Sequence, residues 1–242
     1  MSFAVAALPV LAAPFVGSFA GVLVRRLPAG RPVGWARSEC EGCRATLGPA
    51  ELVPIVSYAL QRGRCRRCGA PIGRDLLAIE AACAGIAVWA VLSADPADVW
   101  ADCILGWTLL TLAWIDWSFL LLPDVLTLPL TLAGLLATAL LDPDALTNHA
   151  IAAGLGWLTL ATVAVAYRRL RGRAGLGGGD AKLMAAAGAW TGLEGLGPIL
   201  LIGACCGIAI ALARTRFRPG AATVVPFGIC LALGIWLQRL YG

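Results

Sequence analysis

Charged residues are scarce in this chain of 242 residues: they make up 14% of it, whereas hydrophobic residues make up 60%. A soluble domain carries about a quarter charged residues, so the composition argues against a water-soluble globular protein. Apolar runs of about 20 residues recur along the whole length, which is typical of membrane-spanning helices. The sequence therefore predicts an all-α polytopic membrane protein.

Histidine is almost absent, since His149 is the only one. No set of serine, histidine and acid gathers at one predicted membrane face, which argues against a catalytic triad. The glycine-rich stretch GLGGGDAKL, 175–183, has no GK[ST] at the required spacing, which excludes a phosphate-binding loop. Internal repeats and low-complexity tracts are also lacking. The carboxylates are left as the candidates for catalysis.

The apolar runs predict about eight transmembrane helices. The first lacks a basic n-region and is followed by further spans, so we interpret it as a retained helix rather than a signal peptide. If loop 25–75 is cytoplasmic, 18 of the 19 Lys and Arg residues lie on the cytoplasmic side, which is the positive-inside pattern. Topology and anionic membrane lipid then explain the net charge of +5, and no nucleic-acid partner is expected. The predicted spans are 3–24, 76–93, 99–115, 124–141, 149–167, 181–192, 198–213 and 221–240.

Nine cysteines divide into two groups. Five lie in apolar spans, where a free cysteine behaves as a small hydrophobic residue. The other four form two CxxC pairs, in SECEGC and RCRRCG, and can supply four thiolates to one tetrahedral ion. Two disulfides are the alternative, which a cytoplasmic location disfavours. We predict a structural Zn²⁺ site made by Cys40, Cys43, Cys65 and Cys68.

Only one stretch is long enough to form a domain outside the bilayer. Its apolar content is too low for a conventional core, so a metal is expected to stabilise it. We predict a first transmembrane helix at 1–24, a cytoplasmic four-cysteine zinc-binding domain at 25–75, between the first and second helices, and a membrane-embedded domain at 76–242.

Four acidic residues lie at the predicted cytoplasmic edge of the bilayer: Glu80, Asp116, Asp124 and Asp180. Ionisable groups at this depth are costly and are candidates for function. Asp124 opens a span and is explained as a first-turn acid near a positive helix end, whereas Asp116 closes one. Asp180 follows a run of glycines, and a helix N-cap is its alternative interpretation.

Asp116 and Asp180 come from different spans and can meet across a helix interface. Two close carboxylates share a proton, so that one activates water while the other donates to a carbonyl. The residues alone leave two alternatives open. One is a transporter that uses the pair as a proton or cation path, and the other is a non-catalytic scaffold whose zinc module recruits a partner.

In order and spacing, these motifs resemble the bacterial type IV prepilin peptidases, membrane-embedded aspartyl proteases of the GxGD kind. The resemblance covers nearly the whole chain. It is carried by PFVGSFAGVLVRRLP, the two CxxC pairs flanking ELVPIVSYALQRGRC, the IE of 79–80, IDWSFLLLPD, GLGGGDAKL and the VPFG of 225–228. It favours a protease over a transporter and identifies 76–242 as the peptidase domain.

The resemblance implies a function and its site residues. Family members cleave the short basic leader of type IV prepilins or type II secretion pseudopilins after a glycine, at the cytoplasmic face of the bacterial inner membrane. The catalytic aspartates match Asp116 and Asp180. The supporting residues are Asp124, Lys182, Gly177, Gly179 and Glu80.

Many family members also methylate the new N-terminal amine with S-adenosylmethionine, an activity associated with the part that includes the cysteine domain. This chain keeps all four cysteines. It departs from the family motif GSFLNV, because Gly21 stands where the family commonly has asparagine. The resemblance therefore implies a peptidase that also methylates, with a peptidase lacking the second activity as the alternative.

Overall fold

The computed structural model describes residues 3–34, 37–172, 175–217 and 225–242. Within these ranges it is helical apart from turns and two isolated β-bridges in the cysteine-rich segment. The chain divides into two compact units, Met1–Thr111 and Leu112–Gly242. The division falls inside a helix, and each unit has its own helix packing.

Unit 1, Met1–Thr111, contains two long membrane helices and the cysteine-rich segment between them. The helices are α1 (Phe3–Arg26), the short α2 (Val56–Leu60), α3 (Arg74–Ser93) and the first part of α4 (Val99–Phe119). α1 and α3 pack closely, because a Cβ on Gly17 would lie 2.6 Å from the Cα of Glu80. Small residues permit such backbone approach between membrane helices.

Unit 2, Leu112–Gly242, contains the end of α4 and four further helices: α5 (Asp124–Leu141), α6 (Leu146–Arg171), α7 (Gly178–Phe217) and α8 (Phe227–Tyr241). α7 packs against α5, α6 and α8. Glycine again sets the helix separation, since a Cβ on Gly234 of α8 would lie 2.9 Å from the carbonyl oxygen of Ile199. The Trp190 indole donates to the Leu130 carbonyl at 2.9 Å and joins α7 to α5.

The segment α7 covers 40 residues and consists of two helices that meet at a kink at Gly192, whose φ of 67° and ψ of −171° are not helical. A straight helix of this length would span about 60 Å, roughly twice the hydrocarbon core. The side chain of Asn148 accepts a hydrogen bond from the Leu193 N–H at 2.9 Å, next to the interruption. The predicted spans 181–192 and 198–213 both lie within α7, on either side of this break.

The all-helical fold is confirmed, and so is the cysteine cluster between the first and second membrane helices. The count of eight is not confirmed: in the described part of the chain, six helices are long and apolar enough to cross a membrane, and α8 has only 15 residues. The predicted last span, 221–240, begins with residues 221–224, which lie outside the described ranges. The predicted boundaries at 24 and 75 stay a prediction.

Large apolar side chains are exposed along the outer faces of these helices. Examples are Phe15, Leu92, Leu132, Leu140, Ile151 and Leu201. Contiguous exposed apolar surface of this extent is unfavourable in water and marks an interaction surface, here lipid. Together with the six apolar helices, this indicates a multi-pass membrane protein.

Candidate active site and metal centre

Asp116 lies in the last turn of α4 and is 5% exposed. The predicted third span ended at residue 115, but the helix continues to Phe119, so Asp116 is a helical residue. Its Oδ2 atom accepts a hydrogen bond from the backbone N–H of Ile229 at 3.2 Å. Ile229 belongs to the first turn of α8, whose positive dipole end favours a carboxylate at this place.

Asp180 lies in the first turn of α7 and is 7% exposed. Its Oδ2 atom accepts the N–H of Gly177 at 3.0 Å. This contact resembles half of a capping box, in which the third helical residue reaches back to the N-cap amide. The sequence considered Asp180 as the N-cap, whereas the structure places it at the third helical position, where accepting the N-cap N–H fixes the carboxyl group against the glycine-rich turn.

The structure brings Asp116 and Asp180 close enough for their charges to interact. The buried Leu122 lies beside Gly179 and Gly228: a Cβ on Gly179 would be 2.7 Å from the Leu122 Cβ, and a Cβ on Gly228 would be 3.0 Å from its Cδ1. Glycine at 179 and at 228 therefore permits the starts of α7 and α8 to approach the loop after α4.

Asp124 and Lys182 form an ion pair between the first turns of α5 and α7. The Lys182 Nζ atom lies 2.6 and 2.7 Å from the two carboxylate oxygens of Asp124. The side chains are 35% and 57% exposed for lysine and aspartate, respectively. This pair connects the helix that carries Asp180 to its neighbour, and its supporting role stays a prediction.

Glu80 is placed in unit 1, where it is 8% exposed. Its Oε2 atom accepts the backbone N–H of Ile55 at 2.7 Å, and its side chain is also hydrogen-bonded to Ser18. Ile55 has a φ of 61°, which is strained for a β-branched residue. The contribution of Glu80 to peptide cleavage stays a prediction, because the partners described for it belong to unit 1.

Two features of the site were missed from the sequence. Gly228 was noted only as part of the family motif, yet a Cβ there would lie 2.8 Å from the Oδ2 atom of Asp116. The Ile229 N–H contact was not foreseen either. Asp116 and Ile229 are 113 residues apart in the chain, and only the VPFG motif signalled that this segment has a function.

The four predicted zinc ligands come together in unit 1. The Sγ atoms of Cys40, Cys43, Cys65 and Cys68 all lie within 4.8 Å of one another. Tetrahedral Zn–S bonds of about 2.3 Å require S–S separations of about 3.8 Å, and the Cys40 and Cys68 sulfurs are 3.8 Å apart. The donor set and its spacing therefore fit a tetrahedral metal ion.

The two CxxC turns have the same backbone geometry. In each, the N–H of the residue four positions after the first cysteine donates to that cysteine's carbonyl oxygen: Arg44 to Cys40 at 2.8 Å and Gly69 to Cys65 at 2.9 Å. Both of these residues have positive φ, 55° for Arg44 and 72° for Gly69. Equivalent β-bridges flank the turns. The repeated turn explains how the two pairs present their sulfurs to one ion.

The local backbone also prepares one thiol for metal binding. Hydrogen bonds from the backbone N–H groups of Cys43 and Gly42 lower the pKa of Cys40 to about 7. At Cys68 the Ala70 N–H acts in the same direction, but hydrogen bonds with the neighbouring thiols and burial raise the pKa to about 11. A bound metal ion would displace the thiol protons that form these hydrogen bonds, because metal ions bind thiolates.

Arg25 ties this cysteine module to the membrane helices of unit 1. At the end of α1, its Nη1 atom lies 2.5 Å from Glu41, between the first two cysteines, and its Nη2 atom lies 2.9 Å from Asp75 at the start of α3. One guanidinium therefore joins two helix ends and a cysteine turn, an arrangement that suits the fork of donors on arginine.

Two family models match the chain in succession. Residues 11–94 match the Bacterial Peptidase A24 N-terminal domain, and residues 103–212 match the Type IV leader peptidase family. The first range contains all four clustered cysteines, and the second contains Asp116 and Asp180. No solved structure matches the chain.

Curated relatives match over most of their length, and each of the following is named prepilin leader peptidase/N-methyltransferase. The protein from Aeromonas hydrophila is 34% identical over 94% of this chain and 87% of its own. The protein from Burkholderia pseudomallei (strain K96243) is 36% identical over 90% of this chain and 80% of its own. The protein from Pseudomonas aeruginosa is 32% identical over 94% of this chain and 87% of its own. At this identity and coverage, the chain belongs to the type IV leader peptidase family.

Proposed function

We propose that the protein is a bifunctional prepilin peptidase, which removes the leader of type IV prepilins or type II secretion pseudopilins and then methylates the new N-terminus. One observation supports the peptidase part. Asp116 and Asp180 are buried carboxyl groups from separate helices, and each accepts a backbone N–H at a helix start. Leu122 connects the two places, because the Cβ position of Gly228, which contacts Asp116, and that of Gly179, next to Asp180, both contact Leu122.

The chemistry needs one ionised and one protonated carboxyl group. The carboxylate takes a proton from water as the water oxygen bonds to the scissile carbonyl carbon, and the other carboxyl group donates its proton to the carbonyl oxygen. As the carbon–nitrogen bond breaks, the carboxyl group that took the water proton passes it to the leaving nitrogen, and the other carboxylate takes a proton back from a hydroxyl group as the carbonyl re-forms. Two carboxyl groups close together hold one proton between them more readily than none, which suits this division of roles.

Asp124, Lys182, Gly177 and Gly179 support the dyad in this proposal. The Gly177 N–H orients the Asp180 carboxyl group, and the absence of a side chain at Gly179 leaves room for Leu122. The Asp124–Lys182 ion pair holds the first turns of α5 and α7 together. All of these contacts lie in unit 2.

The substrate is proposed to reach the dyad at the cytoplasmic face of the bacterial inner membrane. The distribution of Lys and Arg residues supports this orientation. A prepilin has a basic leader before an apolar helix, so the helix can remain in lipid while the leader lies at the membrane edge. The glycine before the scissile bond allows the extended backbone to approach closely.

Methylation and a bound zinc ion are proposed for unit 1. The four sulfurs fit a tetrahedral Zn²⁺ ion whose positions are all filled by protein, so the metal is structural. S-adenosylmethionine supplies a methyl group that bonds to the amine nitrogen as the carbon–sulfur bond breaks, and the amine gives up a proton. The names of the relatives support this second activity.

The transporter alternative is not favoured, because the relatives are named as enzymes and the family model is that of a peptidase. The test is cleavage of a pilin-like precursor by the purified full chain in lipid, read by product mass with and without S-adenosylmethionine. Leader removal plus one methyl-sized mass increment is expected. Asp116→Asn and Asp180→Asn should abolish cleavage, whereas Asp144→Asn, an exposed aspartate in unit 2, should not.

Ion flux through vesicles that contain the protein completes the test. If no pilin-like or pseudopilin-like precursor is cleaved while Asp116→Asn abolishes an ion flux, the proposed function is wrong. Cleavage without a mass increment would support the peptidase and contradict the methyltransferase.

A further inference from the structure

The short helix α2 has two faces of different character. Ser57 and Tyr58 are half-buried, and Tyr58 packs against Gly63, where a Cβ would lie 2.9 Å from the phenol oxygen. The opposite face is apolar and exposed: Val56 is 52% exposed and Leu60, one helical turn later, is 71% exposed. The exposed Ala59 lies on the same face, three residues after Val56. A contiguous apolar surface of this kind marks an interaction site.

The start of α2 lies at the level of the membrane helices of unit 1, inside their charged ends. The N–H of Ile55, the residue before α2, donates to the Glu80 Oε2 atom at 2.7 Å, and the Glu80 side chain is also hydrogen-bonded to Ser18. The charged ends of α1 and α3 are marked by the ion pair between Arg25 and Asp75. Between this ion pair and the contact of Ser18 with Glu80, each helix rises by about 8–10 Å.

This depth is that of an interfacial helix. α1 and α3 are both long and apolar enough to cross a membrane, so their charged ends are expected at the headgroups. Helices that lie in the membrane interface bury their apolar face by about 5–10 Å. The apolar face of α2 is therefore placed where acyl chains begin.

The backbone on both sides of α2 turns sharply. Ile55 before the helix and Arg62 after it have positive φ values, 61° and 52°. Such values are costly for residues other than glycine and persist only where the surroundings hold them. Glu80 holds Ile55 through its N–H, so α2 is fixed at this depth by a contact with α3.

Arginines follow the apolar face directly. Arg62 and Arg64 are exposed, and backbone hydrogen bonds hold them against the end of α2: the Arg62 N–H donates to the Ala59 carbonyl at 3.1 Å and the Arg64 N–H to the Gln61 carbonyl at 3.0 Å. Within the described ranges neither arginine forms an ion pair. Arginine can lay its apolar stem on a hydrophobic surface while its guanidinium binds phosphate.

We propose that α2 is an interfacial anchor that binds anionic phospholipid. Val56, Ala59 and Leu60 insert between acyl chains, and Arg62 and Arg64 pair with phosphate groups of the leaflet that contains the ends of α1 and α3. An anionic leaflet complements these arginines, whereas a basic leader such as that of the proposed substrate would be repelled. The cysteine-rich segment thereby has a third attachment to the bilayer, besides α1 and α3.

Photolabelling of the full chain in lipid nanodiscs tests the insertion. The probe is a phospholipid with a diazirine group in its acyl chain, and mass spectrometry identifies the labelled peptides. Label is expected on residues 53–61 and on α1 and α3, which are the internal positive controls. Label on α1 and α3 but not on residues 53–61 would overturn the proposal, and this result requires no variant.

A matched pair of double variants tests the apolar face. Val56→Ser/Leu60→Ser should lower the label on residues 53–61 several-fold, because it removes apolar area from the inserted face. Val88→Ser/Leu92→Ser makes the same two changes at the same spacing, at exposed positions of α3, and should leave that label unchanged. Undiminished label in the first variant, or equal loss in both, would contradict the proposal.

The headgroup preference is tested with photoactivatable phosphatidylglycerol and phosphatidylcholine. In the parent chain, phosphatidylglycerol should label residues 53–64 more strongly. Arg62→Gln/Arg64→Gln should lower this preference by about fivefold or more, since each arginine close to an anionic surface contributes about that factor. Arg168→Gln/Arg169→Gln, at exposed positions near the end of α6, should leave it unchanged. Equal labelling of the parent chain by the two lipids would contradict the assignment to anionic lipid.

These readouts require no catalytic activity, so they are independent of the proposed function. A basic leader peptide added to the nanodiscs distinguishes lipid from substrate as the occupant. Label that persists on residues 53–64 supports the lipid, whereas label displaced from these residues by the peptide would assign the surface to the substrate and overturn the proposal.

Discussion

At the scale of single residues, the site depends on positions that carry no functional group. Gly228 and Gly179 make room for Asp116 and Leu122, and Gly177 orients Asp180 through its backbone N–H. A glycine that permits close approach acts on geometry alone, so its substitution affects catalysis by moving a neighbouring group.

Gly228→Ala should lower the kcat of precursor cleavage. The added methyl group would lie 2.8 Å from the Asp116 Oδ2 atom, and a displacement of about 1 Å can cost about a hundredfold in rate. Steady-state cleavage of a pilin-like precursor measures this. Gly154→Ala in α6, whose Cβ meets nothing within 4 Å, is the control, and equal rates for the two variants would contradict the assignment.

For the cysteine cluster and the aspartate site, the sequence indicated which residues to consider, but it did not predict the contacts that hold them. The CxxC spacing placed four cysteines in one cluster, because local turns determine where each pair points. Asp116 and Asp180 were selected by predicted depth in the membrane and by family motif. The contacts of Asp116 with Ile229 and of Glu80 with Ile55 depend on tertiary packing between distant segments, which the local pattern does not encode.

At the scale of helices, the starts of α5 and α7 are joined by the Asp124–Lys182 ion pair. Exposed pairs stabilise a protein by about 0.2–1 kcal/mol, so Lys182→Gln should lower the free energy of unfolding by no more than about 1 kcal/mol. Its effect on kcat should be larger than its effect on KM, because the lysine positions the helix that carries Asp180.

A double-mutant cycle of Asp124→Asn and Lys182→Gln, read as the rate of precursor cleavage, measures the interaction energy between these two residues. The double variant should lose no more activity than the more damaged single variant, since both changes break one interaction. Additive losses would show that the two residues act separately.

The interruption of α7 is the second feature at this scale. Gly192→Ala should destabilise the protein by about 1–3 kcal/mol, because a φ of 67° with a ψ of −171° lies in a backbone region that essentially only glycine adopts. Thermal unfolding in nanodiscs measures this. Gly197→Ala, in the same helix and with open space at the Cβ, should be neutral or stabilising, and equal destabilisation by both would contradict the account.

The apolar pattern predicted separate spans at 181–192 and 198–213, and the structure divides α7 at Gly192, but the two helices meet there without the linker that the pattern predicted. Hydropathy locates apolar segments and says little about whether a helix continues between them. The end of α4 differs from the predicted end of the third span for a similar reason. The apolar run ends at residue 115, whereas the hydrogen-bonded helix continues to Phe119 and includes Asp116.

At the scale of the whole molecule, the two activities are assigned to different units. Cys43→Ser should remove the metal and abolish methylation, while cleavage persists, because the contacts described for the dyad lie in unit 2. Elemental analysis measures the metal, and product mass measures both activities. Cys205→Ser, at an exposed cysteine in α7, is the control, and loss of cleavage in Cys43→Ser alone would contradict this separation.

The central claim is that Asp116 and Asp180 act as one catalytic unit. The most direct measurement is the single-turnover rate of precursor cleavage by Asp116→Asn, Asp180→Asn and the double variant, with each shown to be folded by thermal unfolding. Residues that act together are strongly non-additive, so each single variant should be as inactive as the double. Substantial cleavage by either single variant would contradict the dyad.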